Sequence, residues 1–580
     1  MKNVLYVPLD DRPVNLDDVI VQGRAAGINV ITPVRSDIQN RLDTQAVATS
    51  QGTLQSTGSP IFGNPTNIRQ FILNNAATVD GFIISTDMLA YGGLLASREL
   101  RSNGGNVYPN YDLSVTNLLD VIRIIKQSYP SKPVFVLDTI KRLATSTYVN
   151  GKGIETYNES RSLMLQPRVA KSNFQDILNS YDVLSNSSNA GIPTTFNKTQ
   201  YYNARQHKFK TNRYILEQLA RLNFIDFLAI GVDDASKDGV QINEINYIKA
   251  GITEWLGGST TGQNPDRAII TADADGLGCA LMARMANTLY RPGIKTTFAV
   301  QYFGDNGRDI QNGYEYMDVH ENLRRHVHIV GGELVASAPD IEILVVTKSS
   351  DPTSSIAMRA SATAARINSN STSRMPTIVI DLIEGGVANQ TVSETILNSQ
   401  STGRLFGYSS WNTAGNSLGI AIGMAQSRFA FVKTETQETA LQAGVNAHGS
   451  LLFKRFLKDY YYKNLTIREK SVGVREYSIA NPRFVGFAYS NQNMVIFNTS
   501  SVYDRVTTVV RNRMQTYKNT LAAKSAFLIG SNSTAYVVKR IASSTWIFAG
   551  YNSVVLDYQN PDFVWGRDFE ITLNPSITTQ

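Results

Sequence analysis

Short apolar runs, each followed by an acidic or polar cluster and then by a stretch of helical period, recur from the first residues to about position 425. The runs predict strands over 3–8, 29–33, 81–86, 133–137, 225–232, 267–271, 296–302, 341–347, 377–380 and 404–408. They are rich in Val, Ile and Phe with little alternation, as strands covered on both faces are. Helical period fills many of the gaps, as over 113–129, 211–222 and 277–290. Strands alternating with helices predict parallel β-α-β units, hence an α/β main domain over 1–425. Its sheet is either barrel-like, a parallel (β/α) barrel, or doubly wound. Ten strands exceed the eight of a simple barrel, so either an inserted subdomain occupies about 260–350 or the chain holds two doubly wound sheets.

Past 425 the pattern changes. Helical stretches over 436–459 and 502–526 are followed by alternating, aromatic-rich runs over 545–556 and 563–573. They predict a C-terminal α+β region, 426–580, that packs on or caps the main domain.

Composition narrows the class. The 580 residues are 42% hydrophobic and 18% charged, which suits a globular chain with a large core. The net charge of +7 is scattered, with no run of five basic residues, so a solvated basic surface is expected and not a nucleic-acid partner. The single cysteine, Cys279, excludes an internal disulfide framework and any cysteine-based zinc cluster. No apolar run reaches the ~18 residues of a membrane span. The run Val4 to Val7 is too short for a signal peptide and reads as the first strand. The chain as numbered would be cytoplasmic, or secreted if a leader was removed; its oligomeric state is not legible.

In parallel α/β architectures ligands bind at the C-terminal ends of the strands. Asp10, Asp11 and Arg12 follow the first run, Asp87 the third with Arg98 nearby, Asp138 and Arg142 the fourth, and Asp233 and Asp234 the fifth. Later ends carry Asp273, Asp275, Asp305, Asp381 with Glu384, and the stretch Trp411 to Asn416. One such Asp is an ordinary helix cap or turn former. Acids or amides at six or more ends go beyond capping, which Ser or Thr could serve. Parallel strands would gather Asp10, Asp11, Asp87, Asp138, Asp233, Asp234 and Asn412 on one rim, with arginines offsetting the charge.

The adjacent pair Asp233-Asp234 is the sharpest signal, because neighbours at a strand end point in different directions. One carboxylate can orient or deprotonate a group while the other, its pKa raised, protonates a leaving oxygen. Trp411 offers a flat platform for a sugar ring, and Asn412 and Asn416 offer donors and acceptors. No cofactor is expected; an oxygen-ligated Mg²⁺ or Ca²⁺ on Asp10, Asp11 and Asp87 is the alternative. No GxxxxGK[ST] loop or convincing GxSxG elbow occurs, and Gly276-Leu277-Gly278 lacks the third glycine of a dinucleotide loop.

In order along the chain, Tyr6 to Pro13, Ser85 to Gly93, Asp233-Asp234, Trp411 to Asn416 and Trp565 to Glu570 resemble the bacterial domain-of-unknown-function family 4127 over nearly the whole length. The resemblance implies the fold and names no activity. Where that family often has an acid after the aspartate matching Asp275, this chain has Gly276. A looser likeness is to the O-GlcNAcase-like hexosaminidases, TIM barrels with an Asp-Asp pair at one strand end and a Trp-Asn-Asn motif at a later one. It implies that Asp233 orients a 2-acetamido group, that Asp234 is the general acid and that Asn412 binds the sugar.

The expected function is therefore a glycoside hydrolase or related carbohydrate-active enzyme, acting on 2-acetamido sugars by substrate-assisted hydrolysis. Asp233 and Asp234 are its expected catalytic pair. Asp10, Asp11, Arg12, Asp87, Asp138, Arg142, Trp411, Asn412 and Asn416 are expected to bind the carbohydrate. Two alternatives stand beside it. One is a metal-dependent hydrolase of an ester or amide with Asp10, Asp11 and Asp87 as ligands. The other is a non-catalytic carbohydrate-binding or assembly protein on an enzyme-derived scaffold.

Overall fold

The computed structural model describes residues 1–42, 47–48, 54–56, 58–99, 111–146, 149, 152–468 and 501–580. The apolar runs of the first half form strands β1 (Lys2–Val7), β2 (Ile28–Ile31), β3 (Gly81–Ser85), β4 (Val134–Ile140), β5 (Phe227–Val232), β6 (Gln263–Asn264) and β7 (Ala268–Thr271). They make one seven-stranded sheet in the order β2-β1-β3-β4-β5-β7-β6, parallel throughout except for the edge strand β6. A second sheet holds β8 (Thr296–Phe303), β9 (Gly332–Leu334), β10 (Ile341–Val346), β11 (Thr377–Asp381) and β12 (Gly407–Ser409). It is wholly parallel, in the order β9-β8-β10-β11-β12. Counted within each sheet, the first five strands of both follow the order 2-1-3-4-5, a doubly wound arrangement.

The barrel-like option does not hold among the described residues, because each sheet has two edge strands and stays open. Strand side chains explain why both faces are covered. Val4, Tyr6 and Ile83 face one core, and their neighbours Leu5, Val7 and Ile84 face another. Phe298, Ile343 and Ile380 of the second sheet join the first of these cores, while Leu344, Val346 and Val379 enter a third. The shared middle layer contains helices Asp17–Ala25, Leu277–Tyr290, Val319–Ile329 and Ala414–Val432. Two of these approach backbone to backbone. A Cβ added at Gly276 would lie 2.5 Å from Asp273 Oδ2 and 3.0 Å from Gly419 Cα. That spacing explains why no acid stands at position 276.

Two expected helices differ in detail. The stretch 113–129 is split at Asp120 into Leu113–Leu119 and Val121–Ser128, and 211–222 is the tail of a longer helix, Lys198–Tyr214, continued by π-helical turns over Ile215–Ala220. The expected boundary at 425 falls inside helix Ala414–Val432. No described helix is long and apolar enough to cross a membrane.

After helices Glu438–Phe456 and Ser501–Ala522 the chain adds β13 (Tyr536–Ala542), β14 (Thr545–Val555), β15 (Asp562–Val564), β16 (Arg567–Thr572) and β17 (Ser576–Thr579). Strands β13, β14 and β17 form an antiparallel sheet. Strands β15 and β16 form a hairpin whose turn residues, Trp565 and Gly566, both have positive φ (58° and 70°). A type I′ turn, which suits the twist of a hairpin, requires two such residues. Glycine adopts this backbone freely, whereas the tryptophan is held there against its own preference.

Candidate active site

Six strand ends and the β15–β16 turn meet around one cavity of about 300 Å³. Arg12 comes from the loop after β1, Arg98 from the segment after β3, Arg142 from the loop after β4, and Asp233 and Asp234 from the end of β5. Asp275 follows β7, Asn412 follows β12, and Trp565, Arg567 and Glu570 reach in from the hairpin. Tyr157 and Tyr314 complete the polar wall.

Asp233 and Asp234 are held alike. Arg98 donates from Nε and Nη2 to Oδ2 of Asp233, the first at 2.9 Å. Arg142 donates from Nη1 to Oδ2 of Asp234 at 3.0 Å, and its other nitrogens donate to the carbonyls of Ala144 and Thr145. Each Asp thus has Oδ2 anchored by its own guanidinium. Among the described residues neither Oδ1 accepts a hydrogen bond. Asp234 also has a positive φ, 36°, uncommon for a residue with a side chain. Burial, reinforced by the charge of Asp233, raises the pKa of Asp234 against the pull of Arg142 and Arg98.

On the opposite wall the Arg12 guanidinium lies between two carboxylates. It donates to Asp10 from Nε and Nη2 and to Asp275 from Nη1 and Nη2, and it stacks 5.3 Å from the Trp565 ring centroid. Burial, with a further push from Asp10, carries Asp275 up to about 7 despite Arg12.

Other expected site residues lie elsewhere. Asp87 and Asp138 are fully buried behind the cavity, where Lys208 Nζ sits 3.0 Å from each. Thr139 Oγ1 donates to Asp87 and Asn212 Nδ2 to Asp138. Asp10 is taken up by Arg12 and Asn15, and Asp11 accepts from Asn40 N and Trp565 Nε1. The three aspartates expected to share a metal therefore serve separate partners. Among the described residues no group of three or more His, Cys, Asp or Glu is arranged to hold one.

Trp411 presents no face to the cavity. Its exposure is 0%, with Phe569 5.7 Å away and Lys458 Nζ over the ring. Its polar neighbours turn inward too: Ser410 N donates to buried Asp459, and Ser409 Oγ accepts from Trp411 N. Asn412 does line the cavity and donates to Asn416, which donates in turn to Asp273 at 2.6 Å. His326 Nε2 lies 2.8 Å from the other oxygen of Asp273. Beside this chain, Glu315 accepts from Gly415 N at 2.5 Å, at the start of helix Ala414–Val432, and burial raises it to about 8.

Sequence reasoning passed over Tyr157 and Tyr314, and it quoted the segment Trp565 to Glu570, with Arg567 and Glu570 in it, only for its family likeness. The available signal was Trp565-Gly566 between two alternating runs, a two-residue hairpin turn that brings its flanking residues to one end.

No curated protein matches the chain. A family model described as a protein of unknown function, DUF4127, matches residues 4–574 and so takes in every strand end that builds the cavity. The chain belongs to the DUF4127 family of proteins of unknown function.

Proposed function

We propose that the chain is a glycoside hydrolase or a closely related carbohydrate-active enzyme, with Asp233 and Asp234 as its working pair. The observation that carries this reading is the matched anchoring of the two carboxylates. Each is steadied through Oδ2 by a separate arginine and keeps Oδ1 for a ligand in the same cavity. The raised pKa of Asp234 suits a proton donor, and a carboxylate clamped by Arg98 suits an orienting base. The mixed wall of arginines, tyrosine hydroxyls and the Asn412 amide supplies donors and acceptors for sugar hydroxyls.

Of the hexosaminidase likeness, whose barrel the two open sheets do not reproduce and whose tryptophan is buried here, the Asp-Asp pair remains, and it supports a 2-acetamido sugar as the substrate. The acetamido oxygen would attack the anomeric carbon as the bond to the leaving oxygen breaks, and Asp234 would give that oxygen its proton. Asp233 would accept the acetamido N–H and balance the positive charge growing there. Water would then open the cyclic intermediate and return a proton to Asp234.

Rates of Asp234→Asn and Asp233→Asn on activated and unactivated glycosides test the reading. Loss of the general acid should slow an unactivated substrate by ~10²–10⁴-fold, and a nitrophenol leaving group should partly rescue Asp234→Asn but not Asp233→Asn. A wild-type chain that cleaves no glycoside on a broad panel overturns it. The ion pair that holds Oδ2 of each acid favours one second reading, a carbohydrate-binding protein without turnover, for which sugar binding with no cleavage is the signature.

A further inference from the structure

A second cavity, about 400 Å³, lies on the far side of the β15–β16 hairpin. Val564 and Trp565 line both cavities, so the two are separated by the thickness of one hairpin turn. Five carboxamides stand along the wall of the second, Gln39, Asn40, Gln559, Asn560 and Asn574. Asn40 is fully buried and donates to the carbonyls of Ile38 and Gly92, and the oxygens of Asn560 and Asn574 accept from Asn574 N and Lys454 Nζ, which leaves Gln39 and Gln559 to a ligand. Among the described residues the side chains of Gln39 and Gln559 make no hydrogen bond, and both are accessible. Charge is close to balanced, with Asp11, Asp17 and Asp562 set against Arg35 and Arg41. Tyr503 supplies half-buried ring surface, while Phe563 and Trp565 are buried, at 6% and 5% exposure, and leave little ring to a ligand.

This chemistry selects among ligand classes. A nucleic acid or a phosphate would meet three carboxylates, and an apolar ligand would leave the amides of Gln39 and Gln559 unpaired. A carboxamide offers a donor and an acceptor side by side, which matches the adjacent hydroxyls of a neutral saccharide. An aromatic ring beside such groups, here that of Tyr503, suits the apolar face of a sugar.

We propose that the second cavity is a saccharide subsite, so that the chain takes its carbohydrate as an oligomer held on both sides of the Trp565 turn. The inference rests on the glycosidase reading of the first cavity and extends it from a single sugar to a chain of several. Asp11 carries the link between the two sites, since it lines the second cavity and accepts from the tryptophan that walls the first.

The test is calorimetric titration of full-length Asp234→Asn protein, chosen so that ligand is not consumed, with β-1,4-linked N-acetylglucosamine oligomers of one to four units. Affinity should rise at least about tenfold from the single sugar to the tetramer, as linked sites require. Gln39→Ala with Gln559→Ala should weaken the tetramer by about 5–50-fold while leaving the single sugar unchanged, since each removes a hydrogen bond from an accessible position. A length gain that survives the double variant overturns the subsite and leaves the glycosidase reading standing. Equal affinity for all lengths does the same. No binding of any oligomer overturns the subsite together with the 2-acetamido substrate.

Discussion

The indole N–H of Trp565 donates to Asp11 Oδ1 at 2.9 Å, joining residues 554 positions apart. Burial raises Asp11 to about 6, and this hydrogen bond is the largest influence working to lower it. Trp565→Phe keeps the ring and removes the donor. The variant should lose about 1–3 kcal/mol of stability at pH 7, the cost of stranding a buried acceptor. The loss should shrink at pH 5, where Asp11 is largely protonated and no longer a buried charge. Urea unfolding at both pH values checks this, and an equal loss at each would show that the charge is not what Trp565 stabilises.

Among the described residues Lys208 is the cation paired with the buried carboxylates of both Asp87 and Asp138. Burial raises the pKa of Asp87, and the charge of Asp138 adds to the rise, with Lys208 opposing both. Lys208→Met should cost about 3–5 kcal/mol, since it leaves two buried acids without their partner. Lys208→Met combined with Asp87→Asn and Asp138→Asn should recover much of that loss. Denaturation midpoints of the single and triple variants decide it.

Stability should fall as pH rises from about 6.5 to 8. Burial carries Glu244, Asp275 and Asp381 to about 7 and Glu315 to about 8. In the unfolded chain these acids are already ionised across that window. The folded state therefore binds more protons, and the stabilisation that is full below the unfolded pKa is lost as pH passes the folded one. The half-buried His328 and the buried His448, depressed to about 4 and about 3, act below this window, where falling pH penalises the fold. Chemical unfolding at several pH values should show the decline, and Glu315→Gln should flatten its upper part.

Trp411 is core in this structure, so Trp411→Ala should destabilise by about 3–5 kcal/mol, as large core truncations do. Sugar affinity per folded molecule should stay unchanged. Calorimetry on the folded fraction checks this, and a selective loss of sugar binding would return the ring to the ligand.

Periodicity carried the strands well. Each of the ten expected runs overlaps an observed strand, because Val, Ile and Phe runs such as Phe227–Val232 are covered on both faces. Within the two large sheets, strands β6 and β9 escaped notice because Gln263–Asn264 and Gly332–Leu334 are short and lack such runs, and in the C-terminal region the strands Tyr536–Ala542 and Ser576–Thr579 were missed as well. Strand order left no local trace, so the division into two open sheets had to come from three dimensions. At the site, Asp233, Asp234, Arg12, Arg142 and Asn412 line the cavity. Asp87 and Asp138 do not, because Lys208 sits on the buried side of helix Lys198–Tyr214 in a stretch that reads as polar surface. Trp411 misled for a related reason: flanking serines look like exposure, yet here they satisfy buried groups.

The cavity takes Arg12 from the first loop of the chain and Arg567 and Glu570 from its last hairpin. Synthesis proceeds from the first of these to the last, so a growing chain can assemble both parallel sheets before any complete pocket exists. The site as described is thereby incomplete until the hairpin has been made and has docked. A partly synthesised or C-terminally clipped copy would carry the acids and most of the arginines without the wall that encloses them.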